Sequence, residues 1–153
     1  MRKFIILFSL LNFCVGNRLF AQSATDSVKV TIQQLFKGMK NADGEMVKNC
    51  FADSAIMQTI TKNKSGNDYV KTDLAANFVS QIKTLEKDAA DERITIEAIH
   101  VNGPLAVVWT PYQFFWKGKF SHCGVNSFQL VRIDQQWKIQ YIIDTRQKVN
   151  CQQ

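Results

Sequence analysis

The sequence predicts an α+β fold, with helices gathered on one face of an antiparallel sheet. Three observations predict it. Residues 106–116, 119–133 and 137–146 form long runs rich in β-branched and aromatic residues, joined only by Lys117-Gly118 and Asp134-Gln135. A short Gly-containing pair between such runs is a hairpin signal, so the last third of the chain reads as a curled antiparallel meander. Upstream, apolar residues recur at helical spacing in two long segments. Helices first and strands last is the segregated order of an α+β domain.

Taken in order, the chain opens on a segment that does not belong to the fold. Arg2-Lys3 precedes a mostly apolar stretch, 4–15, and Leu19-Phe20-Ala21 offers a small residue at a cleavage position. This is the pattern of a secretory signal peptide, too short for an ordinary membrane-spanning helix. Residues 1–21 are read as that peptide and 22–153 as one domain, periplasmic or secreted. A lipid-anchored Cys14 is the rival reading, and the bulky Phe13 before it argues against it. Removing Arg2, Lys3 and Arg18 lowers the formal net charge from +6 to +3. No Lys/Arg cluster with interleaved aromatics remains, which argues against nucleic acid as a partner. No later apolar run reaches membrane length, so no membrane partner is expected after cleavage.

Residues 23–41 place Val28, Ile32, Leu35, Phe36 and Met39 on one helical stripe, with Ser23, Thr25 and Asp26 as candidate N-caps. Asp43 is placed to cap a short second helix carrying Met46, Val47 and Cys50. Residues 51–54 read as a turn, 55–61 as a short strand and 62–67 as a polar loop. The lone Gly66 lacks the spacing of a phosphate-binding loop. Val70, Leu74, Phe78, Ile82 and Leu85 predict a long helix over 69–87. Residues 88–92 read as a solvated acidic turn, 93–101 as an alternating strand, and Asn102-Gly103-Pro104 as the turn into the meander. Pro111 marks an edge or a bulge, because it has no N–H to give a neighbouring strand.

Turn arithmetic sets a register. If Trp116 opposes Lys119, Gln113 faces His122 and Trp109 faces Asn126; if Ile133 opposes Gln136, Phe128 faces Tyr141. Alternation then puts Trp109, Gln113, Phe115, His122, Asn126, Phe128 and Tyr141 under the helices, and Tyr112, Phe114 and Trp116 on the outer face. Apolar walls with a few convergent polar groups make a small-molecule pocket, so the first set are the candidate ligand-binding residues. A blander account has Gln113, His122 and Asn126 satisfying one another across the strands. Asp144 falls outward, opposite Val125, unless a bulge near Ile142-Ile143 turns it in. With that bulge, His122 and Asp144 become a candidate catalytic pair.

Cys50, Cys123 and Cys151 follow the signal segment. In an oxidising compartment, one disulfide and one buried thiol is the natural arithmetic. Cys123–Cys151 is the preferred pair, since Cys151 follows the neighbouring strand closely enough to fold back; three free thiols is the other outcome. With only His100 and His122 in the chain and no paired-His or C-x-x-C spacing, no metal site is expected. There is no G-x-S-x-G elbow, and no cofactor is expected.

The helix stripes, Phe51-Ala-Asp-Ser-Ala55 and Trp137-Lys-Ile-Gln-Tyr-Ile-Ile-Asp144 resemble the nuclear transport factor two-like superfamily. Val108-Trp-Thr-Pro-Tyr112, Lys119-Phe-Ser-His-Cys-Gly124 and Ile143-Asp-Thr-Arg146 look like its exported bacterial members of uncharacterised function, some described as lumazine-binding. The resemblance implies a cone-shaped, cystatin-like fold: a curved sheet wrapped around three helices, with a pocket at the open end. The superfamily includes ketosteroid isomerases, scytalone dehydratases and polyketide cyclases beside binding and dimerisation modules, so fold leaves function open. The isomerases' carboxylate base and Tyr/Asp pair have no clear match, since 113 is Gln and 126 is Asn. The expected function is an exported small-molecule-binding module with an aromatic-lined pocket. One alternative is an isomerase-, dehydratase- or cyclase-like enzyme, with His122 as general acid–base and Asp144 orienting it. The other is a structural homodimer joined through the sheet's outer face.

Overall fold

The computed structural model describes residues 23–149 and 151; residues 1–21, expected to be a signal peptide, lie outside the described residues. Helices α1 (Ala24–Lys40) and α2 (Gly44–Cys50) come first, followed by β1 (Phe51–Lys62), β2 (Asp68–Leu74) and the short α3 (Ala75–Ile82). Then come β3 (Ala90–Ile94), β4 (Ala98–Asn102), β5 (Leu105–Trp116), β6 (Lys119–Ile133) and β7 (Gln136–Thr145). The strands make one curved, unclosed sheet in the order β2-β1-β7-β6-β5-β3, with β4 also on β5. Among the described residues, only the β1–β7 pairing is parallel.

The α1 stripe is buried as its spacing predicts: Val28, Ile32, Leu35, Phe36 and Met39 all face the sheet. The Ser23 hydroxyl accepts from the Asp26 N–H at 3.0 Å, and the Asp43 carboxylate from the Met46 N–H at 2.9 Å. These side-chain caps satisfy donors that each helix start leaves unpaired. Phe36 meets Phe128 edge-on at 6.1 Å between ring centroids, and Leu130, Ile139 and Ile142 complete the sheet side of the core. Each such side chain contributes about 1.5–3 kcal/mol by leaving water.

Several stretches fold differently from the sequence reading. Residues 51–54 open β1 rather than forming a turn. Residues 69–74 belong to β2, not to a long helix, and only 75–82 are helical. Tyr69, Val70 and Thr72 favour a pleated strand. The loop at 63–67 is closed by the Asn63 side-chain oxygen, which accepts from the Ser65 and Asn67 N–H groups. That hairpin pairs Ile60 with Val70 and leaves Val70 and Leu74 exposed. Part of the expected acidic turn, Ala90 to Glu92, lies in β3. The expected strand over 93–101 breaks between β3 and β4, opposite Pro111, whose carbonyl accepts from the Thr95 N–H at 3.0 Å.

Two bulges decide which side chains face the helices. The turn pairings Trp116↔Lys119 and Ile133↔Gln136 are those of the turn arithmetic. Lys117, Gly118, Asp134 and Gln135 all have positive φ, the backbone that two-residue hairpins need. Beyond each turn the register then slips by one. Phe115 pairs with Phe120 but Phe114 with His122, so Ser121 is an extra residue in β6. Leu130 pairs with Ile139 but Gln129 with Tyr141, so Gln140 is an extra residue in β7. A slip of one residue exchanges the two faces of a strand. In β5 it turns Val108, Thr110, Tyr112 and Phe114 inward and sends Trp109, Gln113 and Phe115 outward; Trp109 is 47% exposed.

Candidate ligand-binding site

Between the helices and the sheet lies a cavity of about 290 Å³. Phe36 and Met39 of α1, Phe78 and Ile82 of α3, and Phe114, Trp116 and Phe128 of the sheet supply its apolar walls. One side is polar, where Glu92 of β3, Tyr112 of β5, His122 and Asn126 of β6, Asp144 of β7 and Arg146 just after it converge.

Asp144 comes inward because of the extra residue at Gln140, two positions before the expected bulge. It sits opposite Asn126 and is only 8% exposed. Its Oδ2 accepts from Arg146 Nε at 2.8 Å and from the Tyr112 hydroxyl at 3.1 Å. That hydroxyl also lies 2.9 Å from the Thr145 carbonyl oxygen, so its one proton is shared. Tyr112 reaches across because its cross-strand partner is Gly124. A β-carbon there would strike the Thr145 carbonyl and crowd the Tyr112 ring. Burial, then the charges of Asp144 and Glu92, push the Tyr112 phenol up, so it remains a proton donor. Arg146 also reaches Thr59 at 3.3 Å.

Glu92 is the second carboxyl of this wall. Asn126 Nδ2 donates to its Oε1 at 2.8 Å and approaches the Thr110 hydroxyl at 3.4 Å. Burial pushes the Glu92 carboxyl up to about 7; the Asn126 hydrogen bond and Arg146 oppose that shift, and Asp144 adds to it. Its neighbour Asp91 pairs instead with Lys40 and Arg93. His122 packs on Phe114, 5.0 Å between centroids, and its Nδ1 lies 3.0 Å from the Ser121 hydroxyl. Burial, then Arg146, lowers its pKa, so the imidazole is neutral near pH 7.

Among the sequence-predicted residues, His122, Asn126, Phe128 and Asp144 line the cavity. Trp109, Gln113, Phe115 and Tyr141 do not: the bulges turn them to the outer face, where Tyr141 bonds the Gln58 side chain and Phe115 lies under Arg93. Tyr112, Phe114 and Trp116, expected as an outer dimer face, line the cavity instead. No hydrogen bond joins His122 to Asp144, whose partners are Tyr112 and Arg146. His122 and Asp144 thus line one cavity without bonding each other. Glu92, Tyr112 and Arg146 were not legible as site residues. Both alternating sets of β5 are apolar, so periodicity is silent there, and Glu92 hides in an acidic run.

A disulfide joins Cys123 to Cys151, and Cys123 exchanges two 2.9 Å backbone hydrogen bonds with Gln147. This holds the chain after β7 against β6, with Arg146 at the cavity. Cys50 is free and buried. Among the described residues, no group of three His, Cys, Asp or Glu side chains is placed to hold a metal ion.

A family model described as "Putative lumazine-binding" matches residues 23–141. The chain belongs to that family. No curated protein matches it in sequence. Among solved structures it is similar to a nuclear transport factor two-like protein of unknown function from Shewanella oneidensis, at 13% identity over 80% of this chain and 99% of that one, TM-score 0.64. It is similar to a domain of unknown function with a cystatin-like fold from Nostoc punctiforme, at 16% identity over 85% and 82%, TM-score 0.63. A "putative dehydratase" of the nuclear transport factor two-like family from Streptomyces avermitilis matches at 12% identity over 80% and 95%, TM-score 0.58. At these identities the likeness is one of fold. This member of the lumazine-binding-type family thus has the nuclear transport factor two-like architecture, and its cavity lies between helices and sheet.

Proposed function

We propose that the cavity binds a small, flat molecule, with its body among aromatic side chains and one edge on the polar wall. The observation supporting this reading is the division of the cavity. Aromatic and aliphatic groups make most of its surface, while Glu92, Asn126, Tyr112, Asp144 and Arg146 converge on one side. Ligand sites generally have this composition, and about 290 Å³ is near the lower end of their sizes, suited to one fused bicyclic ring. The family description supplies a first probe of that size: lumazine, a pteridinedione. Titration of residues 22–153 with lumazine, read by calorimetry and tryptophan fluorescence, is expected to saturate at one equivalent. Trp116→Phe keeps the ring contact and removes most of the fluorescence change. Absence of saturable binding by lumazine and by other pteridines would overturn the reading.

The same reading makes the protein an exported one. Its support is the 1–21 segment and the Cys123–Cys151 bond, which suits an oxidising compartment. Cell fractionation is expected to recover a shortened chain from periplasm or medium.

A second reading rests on Glu92. A carboxyl raised to about 7, beside an Asp144 already paired with Arg146, is the kind of pair that carries acid–base chemistry near neutrality. On this reading Glu92 replaces the His122–Asp144 pair. Were a turnover found, Glu92→Gln is expected to lower it by about 10²–10⁴-fold and His122→Ala to leave most of it. The reverse result would return the role to His122.

A further inference from the structure

We propose that Glu92 makes the cavity selective for rings carrying two adjacent N–H donors on one edge, an amidine or 2-aminopyrimidinone edge, over rings carrying an imide edge. This rests on the cavity being the ligand site. It adds the chemical class that the site takes.

The inference comes from which polar groups of the wall already have partners. Oδ2 of Asp144 takes Arg146 and Tyr112. The Tyr112 proton is shared between Asp144 and the Thr145 carbonyl. The Asn126 amide nitrogen faces Glu92 and Thr110. Glu92 differs from all of these. Among the described residues its carboxyl accepts one hydrogen bond, from Asn126, and no lysine or arginine forms an ion pair with it. A carboxylate offers roughly four acceptor sites and takes two parallel N–H donors well. The wall is therefore short of donors at Glu92.

An imide edge answers that need badly. It presents carbonyl, N–H, carbonyl, so each way of docking sets a carbonyl oxygen against a carboxylate oxygen. An amidine-type edge presents two N–H groups and leaves no repulsive contact. Sites built to hydrogen-bond a ligand discriminate strongly against an analogue that leaves them unpaired. Phe114, the cross-strand partner of Glu92, and the His122 ring packed on it supply an apolar surface beside the carboxyl.

Binding through the ionised carboxyl carries a pH dependence. The groups facing Glu92 are Asp144 of β7 and Arg146 just after it, His122 from β6 and Tyr112 from β5. On its own strand Asp91 and Arg93 are paired with each other, and Lys40 of α1 joins Asp91. Since burial raises the Glu92 pKa to about 7, affinity for a donor–donor edge is expected to strengthen as pH rises through that value.

Pterin and lumazine make the test, because they share one bicyclic ring and differ in a 2-amino against a 2-oxo group. Calorimetric titration at about pH 7.5, where most of the Glu92 carboxyl is ionised, is expected to give pterin at least about tenfold tighter binding. In Glu92→Gln the amide presents one acceptor and one donor, so the preference disappears or reverses, with far-UV dichroism unchanged. Equal binding of the two, or tighter lumazine binding, by the unsubstituted protein would overturn the selectivity and leave the cavity-binding reading standing. A pterin preference that survives in Glu92→Gln would overturn the role of Glu92. If neither ring binds, both readings fall together.

Discussion

Glu92 and Asp144 stand on one wall of the cavity, and among the described residues only Asp144 forms an ion pair. Asp144 is paired with Arg146, whereas Glu92 has the neutral amide of Asn126. The consequence is a stability that depends on pH. Folding moves the Glu92 pKa from 4.5 to about 7, so between those values the folded chain holds a proton that the unfolded chain releases. Stability from this group is therefore full below the unfolded pKa and lost as pH rises through the folded one, a change on the order of 3 kcal/mol. His122 works in the opposite sense: its lowered pKa makes stability fall as pH drops below the ordinary 6.5. Denaturant midpoints measured for Glu92→Gln and the unsubstituted protein across this range separate the two. The variant is expected to gain relative stability as pH rises, and parallel curves would refute the assignment.

At the scale of elements, the segment after β7 is a strap. The Cys123–Cys151 bond and the paired Cys123 and Gln147 backbones hold it on β6. Replacing both cysteines by serine frees a loop with a sequence separation of 28, which costs about 3.5 kcal/mol by loop entropy. Because Arg146 lies on the strap, the same variant is expected to weaken ligand binding beyond that loss of stability, measured well below its melting temperature. Gly124 is the other support of this element. Gly124→Ala would push a methyl onto the Thr145 carbonyl, an overpacking cost of about 1–3 kcal/mol visible as a lowered urea midpoint. Elements were legible wherever polarity contrasted. The α1 stripe, Val28 to Met39, alternates with lysines and glutamines, and its spacing alone placed it. Val70 and Leu74 also fit a helical stripe, yet pairing with β1 outweighs that local signal and leaves both exposed.

At the scale of the molecule, the parallel pairing of β1 with β7 joins the first strand to the last, and one core runs beneath all three helices. A single core in a chain this short predicts one cooperative unfolding transition, with tryptophan fluorescence and far-UV dichroism superimposing. Pairings so distant in sequence predict refolding in roughly milliseconds to seconds rather than microseconds. The fold was legible because helical and alternating segments segregate along the chain. The cavity wall was only half legible. His122, Asn126 and Phe128 were placed inward by counting along β6, but the same count carried across Ser121 put Tyr112 outside and Trp109 inside. Nothing in the composition of β6 announces that Ser121 is unpaired.

Ser121 and Gln140 act on the sheet as frame changes act on a coding message. Each leaves nearly every letter in place and alters how all the letters beyond it are read. The loss or gain of one codon at either point would exchange the cavity lining beyond that point while the strand's composition stayed almost constant.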